Sequence, residues 1–296
     1  MNSSTVIVHG ATGAQGAAIV RGLVSAGHRV RGIARPASAS RLHPDAEPVR
    51  ADLLDADSLA AAYTGADAVV VQLPLVFAAE PAIRQARAVL AALRAAGVRR
   101  AVFNPGSVVP GEAVGVPFVD ARVLVSAELP RIVETATVVA PARTYLDNLA
   151  APWSAPLVRG GEVAYPLPEY LPVPWVALDD LGAAVAALIT STAPPPLRIV
   201  AGPQALTGNQ VADELAAVLG YPVRWNAITP AAYQRMLAPH LGAEAAEGIA
   251  GVYTPPPPGA PSPPQPDPAV ITVGTTTVRD WAARQDWSEH ARTRKG

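Results

Sequence analysis

Three glycines near the amino terminus stand at the spacing G-x-x-G-x-x-G, in His9-Gly10-Ala11-Thr12-Gly13-Ala14-Gln15-Gly16. The β-branched run Thr5-Val6-Ile7-Val8 precedes them; Ile19, Val20, Leu23 and Val24 follow at helical spacing, and Gly27 sits where such a helix stops. The chemistry this pattern suits is holding a pyrophosphate. Gly10 permits the tight turn, Gly13 lets the backbone approach the phosphates, and Gly16 lets helix and strand pack closely. Unpaired amides at the helix start, with the positive end of the helix dipole, then face the anion. In isolation the match is as often an ordinary glycine-rich loop; the strand before it and the helix after it make it a dinucleotide site.

A second strand, His28 to Ala34, ends at Arg35, with Ser38, Ser40 and Arg41 beyond. A fold that prefers NAD usually carries an acid here for the ribose hydroxyls. Guanidinium groups instead match the oxygens of a 2′-phosphate. NADP(H) is therefore expected over NAD(H), with Arg35 and Arg41 as contacts, although Arg41 reads equally well as solvated surface. Other chemistry is thinly represented. The chain has no cysteine, and its one lysine is Lys295, so thiol chemistry and any internal lysine are excluded. The five histidines do not cluster: His28 and His43 fall in turns, His290 in the tail, His9 beside the glycine turn and His240 at a helix end. No metal site is expected. Asp179-Asp180 reads as a helix cap rather than a carboxylate pair, because adjacent side chains rarely aim at one target.

The elements that must position these residues alternate. Glu47 to Asp52 reads as a third strand, Asp55 caps a helix through Ser58-Leu59-Ala60, and Ala66 to Leu73 is a continuous apolar strand. A helix over 79–96 and a strand from Val98 to Asn104 follow, the latter breaking at Pro105-Gly106-Ser107. Five alternations give an α/β fold, a Rossmann-like doubly wound parallel sheet with ligands at the strands' carboxyl ends. The expected nucleotide domain is 1–150, with returning segments at about 174–202. Residues 151–296 are expected to form a smaller mixed α/β carboxyl-terminal lobe. In it, Thr207-Gly208-Asn209-Gln210 has capping-box form, Thr229-Pro230 starts a helix, and 243–250 forms another. Residues 255–268 hold a proline-rich loop read as a stiff connector; a short strand at Val270–Val273 and a helix from Thr275 to Trp287 close the chain.

The whole is 296 residues, 50% hydrophobic and 16% charged, with a formal charge of −1, which supports a large buried core. Without a basic cluster beyond Arg292-Thr293-Arg294-Lys295, neither nucleic acid nor an anionic membrane is an expected partner. No apolar run spans a bilayer and no basic-then-apolar leader is visible, so a cytoplasmic location is expected.

Taken in order, the residues resemble an atypical short-chain dehydrogenase/reductase of the NmrA-like family. The signs are the glycine turn, Arg35, Ala51-Asp52-Leu53 with Asp55, Pro141 to Leu149, Pro174 to Gly182, and Ala201 to Thr207. The resemblance covers roughly 5–240. It implies cofactor contacts from Gly10, Thr12, Gly13, Ala14, Gln15 and Gly16, with Asp52 and Leu53 near the adenine. It further implies Gln72, Leu73, Pro74 and Asn104 on the nicotinamide side, and a substrate between nucleotide domain and lobe. Such reductases typically use Tyr-x-x-x-Lys. Those positions fall here on Phe118 and Arg122, so the proton-donating pair is absent and Arg122 is left to bind an oxyanion or the ribose. Tyr145 and Ser107 become the candidate donors to a substrate, with Tyr165 and Asn148 behind them. Tyr145 reads equally as cleft wall and Ser107 as a turn residue.

The function expected is an NADPH-dependent reductase passing hydride to a C=O, C=N or C=C of a small apolar molecule. A non-catalytic NADP(H) sensor that binds a partner protein, and a cofactor-retaining dehydratase or cyclase, stay open. So does a homodimer.

Overall fold

The computed structural model describes residues 3–255 and 266–288. The middle of the proline-rich loop, His290 and the basic tail with Lys295 lie outside them. The chain divides into two compact units: Met1–Ala142 with Leu178–Val200 and Ala269–Thr272, and Arg143–Ala177 with Ala201–Pro268 and Val273–Gly296.

In the first unit, β1 (Thr5–Val8), α1 (Ala14–Ser25), β2 (Arg29–Ile33), β3 (Ala46–Val49), α2 (Ala56–Tyr63), β4 (Ala68–Val71), α3 (Ala79–Ala95), β5 (Arg100–Phe103), α4 (Pro117–Glu128) and β6 (Thr135–Pro141) alternate. After α5 (Ala155–Arg159), β7 (Glu162–Tyr165) and β8 (Val173–Pro174) in the second unit, the chain returns for α6 (Leu178–Thr190) and β9 (Leu197–Ala201). The second unit continues with β10 (Ala205–Leu206), α7 (Gly208–Leu219), β11 (Arg224–Ala227), α8 (Pro230–Leu241) and α9 (Ala243–Gly251). Last come β12 (Ile271–Val273) and α10 (Val278–Ala283).

The main sheet has the order β12-β9-β6-β5-β4-β1-β2-β3. Every pair from β3 to β9 is parallel, with Val6 opposite Val30 on one side and Ala68 on the other. The order reverses between β1 and β4, and at such a switch point a crevice opens at the strands' carboxyl ends. Burial on both faces explains the apolarity of β1 and β4 at the sheet's centre. Ile7, Val69, Val71 and Phe103 pack against Leu59, Tyr63, Val89, Leu93 and Val125 of the helices on one face. Across the other face α1 and α6 approach so closely that a methyl on Gly22 would lie 2.4 Å from the Gly182 backbone.

Three local readings hold and two shift. Asp55 Oδ1 accepts the amides of Asp57 and Ser58, the Thr207–Gln210 capping box forms, and Thr229 caps α8 with Pro230 in its first turn. The helix expected from Leu181 begins instead at Leu178, so Asp179 and Asp180 sit in its first turn rather than capping it. There their charge suits the helix dipole, and Asp179 pairs with Arg21 at 2.7 Å. The last helix is shorter than its apolar pattern, Val278–Ala283.

The second unit has its own core around Leu146, Tyr165, Trp175, Leu215, Trp225 and Leu237. A small parallel pair, β7 with β11, lies in it; such two-strand pairs carry too little periodicity to be read from sequence. No helix among the described residues is long and apolar enough to cross a membrane.

Candidate functional site

Gly10 turns the chain out of β1 at φ +56°, and the Gly13 amide donates back to the Gly10 carbonyl at 2.9 Å. Gly13 then caps α1 without any side-chain hydrogen bond, and no acid stands in the first turn. The start of α1 thus offers its amides uncompensated, as an anion site does. Contact explains Gly16: a Cβ there would sit 2.0 Å from the Gly10 carbonyl oxygen. Beside the turn, Thr12 Oγ1 donates to Ser38 Oγ at 3.0 Å and Ser38 Oγ donates to the Arg35 carbonyl at 3.1 Å. Ser38 belongs to a 3-10 turn, Pro36–Arg41, which pattern reading does not anticipate. Arg35 and Arg41 are exposed and form no ion pair among the described residues. Asp52 is exposed in the connection between β3 and α2, its Oδ1 accepting from the Leu54 amide at 2.9 Å.

Three carboxamides join the ends of β1, β4 and β5. Asn104 Nδ2 donates to Gln15 Oε1 at 2.8 Å and to Gln72 Oε1 at 3.0 Å. Gln72 Nε2 donates to the His9 carbonyl at 2.6 Å, and Asn104 Oδ1 accepts the Gly106 amide at 3.1 Å. Sequence reading names Gln15, Gln72 and Asn104 separately; only folding, which brings residues far apart in the chain together, shows them as one network. Such a chain of amides fixes each group's orientation, because flipping one would oppose like atoms. Leu73 behind it is buried and Pro74 exposed.

Arg122 differs from its expected role. Its Nε donates to the Pro105 carbonyl at 2.9 Å, and its two terminal nitrogens to Phe118 O at 2.7 Å and Leu73 O at 2.8 Å. The guanidinium is therefore committed to the backbone of the loops after β4 and β5. Burial pushes its pKa down to about 10, still charged at neutrality. Phe118, one turn earlier, meets Phe77 edge-on with centroids 5.3 Å apart, and Arg122 Cζ lies 5.4 Å from its ring centroid.

Ser107 is exposed in the turn after β5. Tyr145, in the second unit, is 6% exposed, pairs with Val176 through a single β-bridge, and its hydroxyl has no hydrogen-bond partner among the described residues. Burial, with the Asp147 carboxylate, pushes its pKa up, so it is a neutral hydrogen-bond donor at ordinary pH. Tyr165 and Asn148 do come together. The Tyr165 hydroxyl meets Thr144 Oγ1 at 2.8 Å and the Tyr253 hydroxyl at 2.7 Å, and Asn148 Nδ2 donates to it at 3.1 Å. Thr144 and Tyr253 carry no sequence signal for this; they arrive from distant parts of the chain. His240 stands 6.1 Å from Trp153, ring centre to ring centre, in the second unit.

His9 packs against Tyr63: Nε2 lies 2.7 Å from the phenol oxygen, both buried. Desolvation lowers the imidazole to about 4 from an ordinary 6.5. Between those values the unfolded chain binds a proton that the folded chain refuses, so stability falls as pH drops through this window. The expected loss is roughly 3 kcal/mol by pH 4. Melting temperature against pH, compared with His9→Phe, checks it: the variant is expected to lack this component of the acid slope.

A family model described as the NmrA-like family matches residues 2–254. The chain belongs to the NmrA-like family. A relative from Xenophilus azovorans, an NAD(P)H azoreductase, is 32% identical over 231 residues, 76% of this chain and 77% of its own. Among solved structures, a triphenylmethane reductase from Citrobacter sp. complexed with NADP(H) is similar with a TM-score of 0.68 at 20% identity, covering 84% of this chain and 88% of its own. A nucleoside-diphosphate-sugar epimerase from Staphylococcus aureus also has a TM-score of 0.68, at 16% identity, covering 94% of this chain and 99% of its own. At such identities the likeness is one of fold. Within this NmrA-like chain, no group of three or more His, Asp or Glu side chains among the described residues could hold a metal ion.

Proposed function

We propose that this NmrA-like protein is a reductase using NADP(H) in preference to NAD(H), and that its acceptor is a small, largely apolar molecule with a polarised or conjugated double bond. The observation that carries the reading is the uncapped start of α1 above Gly10 and Gly13, with no acid in its first turn. The azoreductase relative, aligned over three-quarters of this chain, supports reduction and adds N=N to the C=O, C=N and C=C acceptors expected from sequence. When bound, the nicotinamide supplies the hydride.

The chain's own residues bind and orient. The first amides of α1 hold the pyrophosphate, while the Arg35 guanidinium, without an ion pair among the described residues, donates to a 2′-phosphate beside the turn that Thr12 and Ser38 fix. Asp52 and Leu53 border the adenine. Gln72, Leu73, Pro74 and Asn104 present a fixed polar edge on the nicotinamide side. Arg122 is a positioning residue, holding the Leu73 and Pro105 loops in place. Ser107, exposed in the turn after β5, donates a hydrogen bond to the acceptor, water supplying the proton. The phenylalanine at the usual tyrosine position favours a second reading, an NADP(H) sensor without turnover.

An absorbance assay of NADPH oxidation against azo dyes, quinones and carbonyls separates the two. Turnover with any acceptor supports the reductase; tight NADPH binding without turnover supports the sensor. In either case Arg35→Ala is expected to weaken NADPH binding roughly tenfold and leave NADH unchanged. Equal effects on both dinucleotides would remove the 2′-phosphate assignment.

A further inference from the structure

The second unit contains a groove of about 410 Å³ whose lining includes Leu167, Glu169, Tyr170, Ile228, Pro230 and Tyr253. It opens at the carboxyl ends of β7 and β11, two parallel strands whose last residues are Tyr165 and Ala227. The walls are fixed by backbone bonds. Ile228 N donates to Tyr165 O at 3.1 Å, Gly208 N to Glu169 O at 2.9 Å, Leu171 N to Pro168 O at 3.1 Å, and Trp225 Nε1 to Leu167 O at 3.2 Å. One aromatic wall is held and the other is free. The Tyr253 hydroxyl is tied to Tyr165 and Thr144, at 2.7 and 3.2 Å, whereas Tyr170 is 77% exposed.

We infer that this groove binds a flat aromatic molecule carrying a positive charge, with its ring between Tyr170 and Tyr253 and its cation beside Glu169. Three observations converge on that class. The lining is otherwise prolines, aliphatics and tyrosine, which suits an aromatic body. Glu169 is the one charged side chain among the lining residues, it is exposed, and it has no ion-pair partner among the described residues. Tyrosine faces add a cation–π attraction of the same sign as the carboxylate. With no arginine, lysine or histidine in the lining, an anion would meet only repulsion there. Glu169 is thus the specificity-determining residue of the groove. The site lies within the second unit alone, and the inference does not depend on the reductase reading.

The test titrates the full-length protein, without dinucleotide, against benzylammonium, benzyl alcohol, benzoate and cyclohexylmethylammonium, following binding by nuclear magnetic resonance. Benzylammonium is expected to bind tightest. Glu169→Gln is expected to weaken it about threefold to fivefold and to leave benzyl alcohol unchanged, since an exposed ion pair contributes modestly. Tyr170→Ala is expected to weaken benzylammonium and benzyl alcohol more than the cyclohexyl cation, which has no ring to stack and loses only its cation–π share. Both side chains are exposed, so unchanged melting temperatures are expected and read alongside. The proposal is overturned if benzyl alcohol or benzoate matches benzylammonium, if Glu169→Gln leaves its affinity intact, or if the cyclohexyl cation binds equally well.

Discussion

Replacing Gly16 with valine is expected to weaken NADPH binding roughly 100-fold, the largest effect of any single substitution in the nucleotide turn. The Cβ would lie 2.0 Å from Gly10 O, 2.7 Å from Gly10 C and 3.1 Å from Ala11 Cα. All three are backbone atoms, so no rotamer change relieves the overlap; the start of α1 must lift by about 1 Å to restore van der Waals separation. That displacement carries the α1 amides away from the phosphates they are expected to bind. Gly13→Ala provides the contrast. Its Cβ would stand 3.3 Å from Gly10 O, at an ordinary φ of −82°, so the turn is expected to keep its shape, and any loss of affinity reads the approach of the phosphates alone. Fluorescence titration with NADPH reads both variants, and circular dichroism establishes that each is folded. Parent-like affinity in a folded Gly16→Val protein would show that the pyrophosphate is not held by this turn, and the proposed function would fail with it.

Arg122→Met is expected to cost about 3–5 kcal/mol of stability, because three backbone carbonyls lose a charged donor at once and two of those bonds are fully buried. At this size of protein that corresponds to a fall in melting temperature of roughly 10 °C. Arg122→Lys separates charge from geometry. A lysine keeps the positive charge but presents one ammonium instead of a planar fork, so it can serve one loop and not both. Its expected loss is intermediate. If Arg122 positions the Leu73 and Pro105 loops, the lysine variant should also show a raised KM for cofactor while kcat changes little. A guanidinium acting directly on the substrate would instead lower kcat with stability nearly unchanged. Thermal melts and steady-state kinetics on the same two variants distinguish these outcomes.

How far the fold was legible depended on how local its causes are. The glycine turn, the Asp55 cap, the Thr207–Gln210 box and the Thr229-Pro230 helix start each rest on side chains within a few residues of the backbone groups they satisfy. The buried strands of a parallel sheet announce themselves by continuous apolarity, as Ala68–Val71 does. Boundaries were less legible. α6 begins at Leu178 because its first-turn aspartates complement the dipole and one pairs with Arg21, a residue far away in sequence.

The candidate site divides the same way. Sequence alone determined that a glycine turn of G-x-x-G-x-x-G spacing sits between a strand and a helix, that an arginine stands where an acid would mark NAD, and that neither thiol nor internal lysine takes part. Those follow from residue identity and short-range spacing. Tertiary structure alone decided that Asn104 joins Gln15 to Gln72, that Arg122 spends its guanidinium on the Leu73, Pro105 and Phe118 carbonyls, and that the Tyr145 hydroxyl is buried without a partner among the described residues. The reason is physical: a hydrogen bond is satisfied by whatever packing brings within about 3 Å, and that neighbour leaves no trace in the local pattern of the chain.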